Sequence, residues 1–305
     1  MPELPEVQTV VSELNPKLKN KVIKNVEVRL PKIVSVGPKT MPNVRTADDK
    51  MVKVFVSHLV GKKIKGLARR AKMIIMDIEG RDAVLVHLKM TGQLIFLSKK
   101  ELKKPLRLLN IENASPQTLP AKWTHVIFDF ADGSRLFYND MRQFGYLRLV
   151  RDEEINEVRE LQDFGPEPLD GSFDFKALEG LIEKHPKTKL KQFLMDPTII
   201  AGIGNIYSDE ILFYAKVRPT RPAASLNPAE RKLLLRGIKA ILTQAIRKAG
   251  SSVGDFVRPN GDWGGYGKLH KVYGRSGEKC KVCGTKIISI KFNGRTGSFC
   301  PHCQK

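Results

Sequence analysis

No stretch of this 305-residue chain constrains its folding more than the last twenty-six residues, which hold all four cysteines. Cys280-x2-Cys283 and Cys300-x2-Cys303 are separated by sixteen residues, the spacing at which two short knuckles close one tetrahedral metal site. Thiolates are soft ligands, and four of them leave no open coordination position. The expected occupant is therefore one structural Zn2+, pinning a hairpin. Four idle thiols or two disulfides are the competing readings, but such clustering is unlike a secreted disulfide framework. It points to reduced thiols and a cytoplasmic protein. His302 sits inside the second knuckle and is expected to be a bystander, because four cysteines suffice.

Charge narrows the partner. Lys and Arg number 53 against 32 acids, a formal charge of +21. Such an excess calls for a polyanion, either nucleic acid or an anionic membrane surface. No apolar run approaches the roughly 18 residues needed to cross a bilayer, and the acidic start does not read as a signal peptide. Nucleic acid is the expected partner, with no membrane. Residues 268–305 carry nine Lys or Arg and one acid, so the zinc-pinned hairpin would offer cations to phosphates.

Periodicity divides the chain. Pro5 and Glu6 open a helix with Val7, Val10, Val11 and Leu14 on one face. Residues 22–30 alternate as a strand does, and 64–78, 83–97 and 123–138 are further β-rich stretches, the last with an Asp132-Gly133 hairpin turn. Without strand–helix–strand alternation, the first half should be an antiparallel sandwich or barrel. Residues 31–50 read as an excursion with a short helix near 48–58, and 98–122 as a polar surface loop. Helical periodicity takes over at 153–164, 174–184 and 189–195. Asn227-Pro228-Ala229-Glu230 is a capping box opening a helix that ends at Gly250. The expected class is α+β multidomain: a β-sandwich domain over 1–150, a helical DNA-binding domain over 151–265, and a zinc hairpin over 266–305.

Several constellations could carry chemistry. Removal of Met1 would leave Pro2 as a terminal secondary amine, which condenses with an aldehyde-like carbon to an iminium electron sink, and Glu3 beside it supplies a carboxyl group for proton transfer. The same residues also suit an ordinary helix start. Arg69-Arg70-Ala71-Lys72 precedes an apolar strand and could be a solvated edge. Ala201-Gly202-Ile203-Gly204-Asn205 leads into an apolar helix and suits either a phosphate-approaching turn or a plain inter-helix connection. Met90, in His87-Leu-Lys-Met-Thr-Gly92, and Arg142 and Phe144, in Asp140-Met-Arg-Gln-Phe-Gly145, are a flexible plug, a forked donor and an aromatic wedge. Ordinary core is the alternative for Met90 and Phe144.

The opening Met-Pro-Glu-Leu-Pro-Glu-Val resembles that of the formamidopyrimidine-DNA glycosylases, bifunctional enzymes that excise oxidised purines and nick the strand. Landmarks run from Pro2 to Cys303, apart from the insertion at 98–122. The loops 87–92 and 140–145 resemble two family loops, and the resemblance implies that Met90, Arg142 and Phe144 fill the hole left by a flipped base. The resemblance implies a helix–two-turns–helix element, with Pro2 as nucleophile, Glu3 as its acid, and Lys72 as a proton donor in β-elimination. Arg295, at the hairpin tip, would grip phosphate beside the lesion and assist the second elimination. Asn205 and Lys187 are implied phosphate ligands, Lys189 and Lys191 competing with Lys187 in the alignment. The 250–267 stretch resembles the loop covering the flipped purine; a flexible linker is the alternative. Damaged double-stranded DNA is the implied partner, bound by a monomer associated with the nucleoid. Gln8, Lys89, Trp123 and Met141 depart from the family's usual Glu, Gly, His and Pro.

Three other functions compete. A pyrimidine-type endonuclease VIII relative is disfavoured by Leu4 and the 250–267 loop. A non-catalytic zinc-containing DNA-binding protein would make Pro2, Glu3 and Lys72 coincidental. A tautomerase-like enzyme using terminal proline as a base needs neither zinc hairpin nor such charge.

Overall fold

Glu3 is the N-cap of α1 (Leu4–Leu18), whose Val7, Val10, Val11 and Leu14 are all buried. In the computed structural model, residues 1–39, 48–108, 115–254, 256–292 and 294–305 are described. Asp255, and positions 40–47 and 109–114 of the two expected excursions, lie outside them. After α1 come β1 (Ile23–Val28), β2 (Val34–Val36), α2 (Asp49–Leu59), β3 (Ile64–Arg70), β4 (Met73–Ile78), β5 (Asp82–His87), β6 (Gly92–Leu97), β7 (Thr124–Phe130), β8 (Arg135–Asp140) and β9 (Tyr146–Arg151). These form a four-stranded sheet in the order β1-β7-β8-β6 and a five-stranded sheet in the order β2-β9-β5-β4-β3. The Asp132-Gly133 turn is where expected, Gly133 having the φ of +82° that such turns demand.

Pairing is antiparallel throughout both sheets except for β2, which runs parallel to β9. Neither of these two strands was evident in sequence. Inner-face residues such as Ile74, Val84, Val86, Phe128 and Leu147 share one core with α1 and α2. Both outer faces are covered as well. Leu106, Leu108, Leu119 and Ala121 bury against Ile95, Leu97, Ile127 and Phe137 on the four-stranded sheet. The expectation of a mere surface loop at 98–122 is thereby corrected: its leucines shield a face that would otherwise be wet. On the five-stranded sheet, Val158 packs against Met73, Leu85 and Tyr146. The 153–164 stretch expected as helix is a 3-10 turn (Asp152–Glu157) followed by one turn, α3 (Arg159–Gln162). Its apolar residues serve as a lid on the sheet.

The helical part comprises α4 (Phe175–Lys184), α5 (Leu190–Met195), α6 (Asn205–Tyr214) and α7 (Pro228–Arg247), and ends in the hairpin β10 (Ile288–Phe292) and β11 (Arg295–Phe299). Asn227 caps α7 as expected, its side chain accepting Glu230 N while Glu230 reaches back to Asn227 N, each at 2.9 Å. By contacts the chain forms two compact units, Met1–Gln162 with Ala249–Gly265, and Asp163–Lys248 with Tyr266–Lys305. The 249–265 excursion belongs to the first unit because Phe256 and Val257 bury among its cores and Pro259 O accepts Phe96 N at 2.9 Å. A free linker would bury neither.

Candidate functional site

In the first unit, Pro2 and Glu3 are buried where α1 begins. Glu6, one turn on and 1% exposed, accepts Glu3 N at 2.8 Å through Oε2 and Ser251 N at 2.7 Å through Oε1. One carboxylate thus fixes both the start of α1 and the base of the 250–265 excursion. A Cβ on Gly250, whose φ is +76°, would lie 2.8 Å from Glu6 Oε1, so the approach requires glycine. Ser252 Oγ, accepting Gly264 N at 2.7 Å, closes the excursion's base. Sequence reasoning saw Glu6 only as a helix opener. The spacing of Glu3 and Glu6 is that of a capping box with an unusual acidic cap.

Lys72 lies in the tight β3–β4 turn, after Ala71 at φ +53°. Arg69 staples this turn, donating from Nη1 to Ala71 O at 2.8 Å and from Nε to Gln8 Oε1 at 2.9 Å. The departure at Gln8 is therefore mild: a neutral amide keeps the acceptor that the family's carboxylate would supply.

Met90, Arg142 and Phe144 are on two neighbouring turns, β5–β6 and β8–β9, and all three are exposed, which sets aside the core reading of Met90 and Phe144. The Arg142 guanidinium stacks 4.7 Å from the Phe144 ring centroid. The joint between the turns is Asp140, fully buried. Its Oδ1 bonds Thr91 Oγ1 and accepts Arg142 N at 3.2 Å, while Oδ2 accepts Gly145 N at 2.7 Å. Sequence reading placed Asp140 in the motif without a role. A Cβ at Gly92 would sit 2.4 Å from Leu88 O, and one at Gly145 2.0 Å from Tyr138 Oη, so both turns close only around glycine. Lys89 stands at φ +48° in the left-handed region, which explains physically why glycine is usual there. Its amide donates to His87 Nδ1 at 3.0 Å. Burial, and then the charges of Lys89 and Lys72, hold the His87 imidazole well below its usual pKa. Trp123 is half-buried against the outer-face core, its carbonyl accepting Asp140 N at 2.9 Å.

In the second unit, Asn205 is the first residue of α6, after Gly202 at φ +85°, and among the described residues its Oδ1 has no partner. Lys187 and Lys189 are exposed beside the start of α5, but Lys191 is withdrawn from solvent. It is fully buried, donating to Asp209 Oδ1 at 2.6 Å, Ser208 Oγ at 3.0 Å and Asn205 O at 3.3 Å. Asp209 Oδ2 accepts Ser298 N of β11 at 2.8 Å, and a Cβ on Gly297 would strike Lys191 Cδ at 2.7 Å. Burial pushes the Asp209 carboxyl up to about 6, against the pull of Lys191 and of the Ser298 amide. Glu210, next in sequence, accepts the amides of Lys271, Val272 and Tyr273 at 2.9–3.1 Å. Two consecutive carboxylates on α6 thus anchor the zinc module.

The four cysteine Sγ atoms lie within 4.8 Å of one another, Cys283 and Cys300 at 3.5 Å and Cys280 and Cys303 at 4.0 Å. Zinc–thiolate bonds of about 2.3 Å in a tetrahedron require S···S separations of about 3.8 Å, so the residues fit one structural Zn2+. Val282 N and Cys303 N point at the Cys280 and Cys300 sulfurs, as knuckle amides do. His302 is exposed and outside the cluster. Arg295, exposed, pairs with Phe292 at the tip of the β10–β11 hairpin. Among the described residues, no helix is long and apolar enough to cross a membrane.

Comparison with known proteins follows the same divisions. The family model for the formamidopyrimidine-DNA glycosylase N-terminal domain matches residues 1–147, that for its H2TH domain 164–257, and that for a zinc finger found in FPG and IleRS 277–305. The formamidopyrimidine-DNA glycosylases of Carboxydothermus hydrogenoformans and Listeria monocytogenes are 40% and 37% identical to the chain, each over 100% of both chains. A Lactococcus lactis Fpg structure with abasic-site DNA aligns at a TM-score of 0.81, with 31% identity over 99% of each chain. Another, with FAPY-dG-containing DNA, aligns at 0.80, with 32% identity over 99% of this chain and 100% of that one. With the buried Pro2-Glu3 start, the four-cysteine zinc site and full-length identity in agreement, this chain belongs to the formamidopyrimidine-DNA glycosylase family.

Proposed function

We propose that the protein is a bifunctional glycosylase and lyase of base excision repair, removing oxidised purines such as 8-oxoguanine and formamidopyrimidines from duplex DNA. The observation that carries this reading is the buried Pro2-Glu3 pair, held at the start of α1 by Glu6. After loss of Met1, the Pro2 nitrogen attacks C1′ of the lesion sugar and Glu3 delivers the proton that opens the ring. The base departs, leaving an iminium between protein and sugar. That cation acidifies C2′–H. Loss of this proton with the C3′ phosphate is the β-elimination, for which Lys72 is the proton donor, and loss of the C5′ phosphate is the δ-elimination, assisted by Arg295.

Met90, Arg142 and Phe144 fill the space of the everted nucleotide. Lys187 and Asn205 hold phosphates, Asn205 at the positive end of the α6 dipole. Zinc supplies no bond breaking; it fixes the hairpin that carries Arg295. The protein acts as a monomer in the cytoplasm, at the nucleoid. Each phosphate neutralised adds about −0.9 to the log–log salt slope of binding.

Borohydride trapping on a duplex with one 8-oxoguanine opposite cytosine tests the chemistry. The wild type should give a covalent band that maps to Pro2, Pro2→Gly none, and Glu3→Gln a band on an abasic duplex but little on the lesion. No wild-type band despite tight duplex binding would leave the silent zinc-containing DNA-binding reading. One observation favours a second substrate class: a Lactococcus lactis relative, 32% identical, has been crystallised with oxidised-pyrimidine-containing DNA. Side-by-side turnover of purine and pyrimidine lesions separates the two.

A further inference from the structure

A cavity of about 1090 Å³ opens on the second unit, bounded by α6, α7, the start of α4 and the zinc module. That exceeds the roughly 300–1,000 Å³ of ordinary small-molecule pockets. Its lining is chiefly apolar, with Phe213, Tyr214, Leu235, Ile241 and Val282 turned to it. Tyr214 is 40% and Val282 69% exposed, a solvent-facing apolar patch of the kind that marks a contact surface. Gly237 makes room for it: a Cβ there would meet Tyr214 Cδ1 at 3.0 Å.

Five cations, Lys216, Arg236, Lys239, Arg247 and Lys271, share the lining, and among the described residues none has a carboxylate at ion-pair distance. The two acids present are already engaged. Asp174 caps α4 by accepting Ala177 N at 2.8 Å, and Glu210 is occupied by the amides of 271–273. The cavity therefore pairs an apolar floor with an excess of positive charge, five cations against two carboxylates. A nucleic-acid strand would use the charge but set sugar and phosphate against Leu235, Ile241 and Val282. Lys187, Asn205 and Arg295 do not line it.

We propose that this cavity docks an acidic peptide segment of a partner protein, whose apolar side chains enter the lining while its carboxylates meet the cationic rim. Charge complementarity selects and steers the segment, and the buried anchors hold it. The site is independent of the lesion chemistry, and either reading can fail without the other.

The test uses the full-length, zinc-loaded protein on an array of short peptides combining aspartates with phenylalanine, leucine or isoleucine at every spacing. The controls exchange the acids for asparagine or the apolar residues for serine. Peptides carrying both features should bind and both kinds of control should not. Arg236→Glu with Lys239→Glu should weaken binding about tenfold, and Val282→Ser, which changes an exposed side chain and keeps the knuckle amide, several-fold, with zinc content and melting temperature measured to be those of the wild type. The proposal is overturned if no peptide exceeds the controls or if binding ignores both sets of substitutions. It is equally overturned if a single-stranded oligonucleotide displaces the peptide and is itself weakened by Val282→Ser, for then the cavity takes nucleic acid.

Discussion

Glu6 and Ser251, 245 positions apart in sequence, are joined by a 2.7 Å hydrogen bond from the Ser251 amide to a carboxylate that also receives the amide of Glu3. A single buried side chain thus ties the proposed nucleophile's helix start to the excursion that resembles a lesion cover. Glu6→Ala should strand both buried amides and lower the stability of the first unit by about 2–4 kcal/mol, measurable by thermal unfolding. Glu6→Gln retains one acceptor and should fall between. If Glu6→Ala melts like the wild type, the carboxylate is not the joint described above.

Gly145→Ala should cost about 3 kcal/mol, because the new methyl would meet Tyr138 Oη and His87 O at 2.0 and 2.7 Å, both on well-packed strands. It should also misplace Arg142 and Phe144 and reduce lesion processing more than abasic-site binding. Gly171→Ala, with nothing within 4 Å, is the matched control and should be neutral. Denaturant midpoints of the two variants decide the matter.

Lys191→Met leaves Asp209 buried and unpaired, and should destabilise the second unit by about 3–5 kcal/mol. Replacing both, Lys191→Met with Asp209→Leu, should recover much of that loss, although the Ser298 amide then lacks its acceptor. A zinc-release assay during unfolding reads the outcome. Additive losses would contradict the pairing.

Acid should weaken the first unit before the second. His87 and His125 are both held below their usual pKa, chiefly by burial. The unfolded chain therefore binds protons that the fold refuses, and stability falls as pH drops below about 6.5. Glu160, held low against its own burial by a backbone hydrogen bond and then by Arg148, continues the loss at lower pH. In the second unit, Asp209 and Glu210 are raised by burial and shift stability the opposite way, offsetting His270, which is lowered to about 4. Calorimetry from pH 7 to 5 should show the first unit's transition moving down more, and His87→Gln should flatten that shift.

Chelation of zinc should loosen the β10–β11 hairpin, since without the ion the clustered cysteines take up protons and lose the bonds that join the two knuckles. Duplex binding and trapping should fall together, while the first unit's melting transition stays put. Retention of full duplex affinity in the chelated protein would remove Arg295 and its hairpin from the interface.

Legibility followed the range of the interaction. The Asn227 cap, the Asp132-Gly133 turn and the buried face of α1 were readable because each is decided within a few residues. Strand β9 was not, since its Tyr146, Leu147, Leu149 and Val150 are buried on both sides of the sheet and carry no alternation. The leucines of 98–122 were hidden for a related reason: nothing local announces that the outer face of a sheet needs a cover.

The site divides in the same way. By itself the sequence determined the zinc ligands, the Pro2-Glu3 start, the family, and the turns carrying Met90, Arg142 and Phe144, because metal-ligand spacing and short motifs are local patterns. Only the tertiary structure set Lys191 apart from Lys187 and Lys189, withdrawing it into the interior to meet Asp209. It alone gave Glu6, Asp140 and Glu210 their tasks as acceptors of amides from other segments. A buried carboxylate must find donors wherever the fold brings them, and sequence separation carries no trace of that distance.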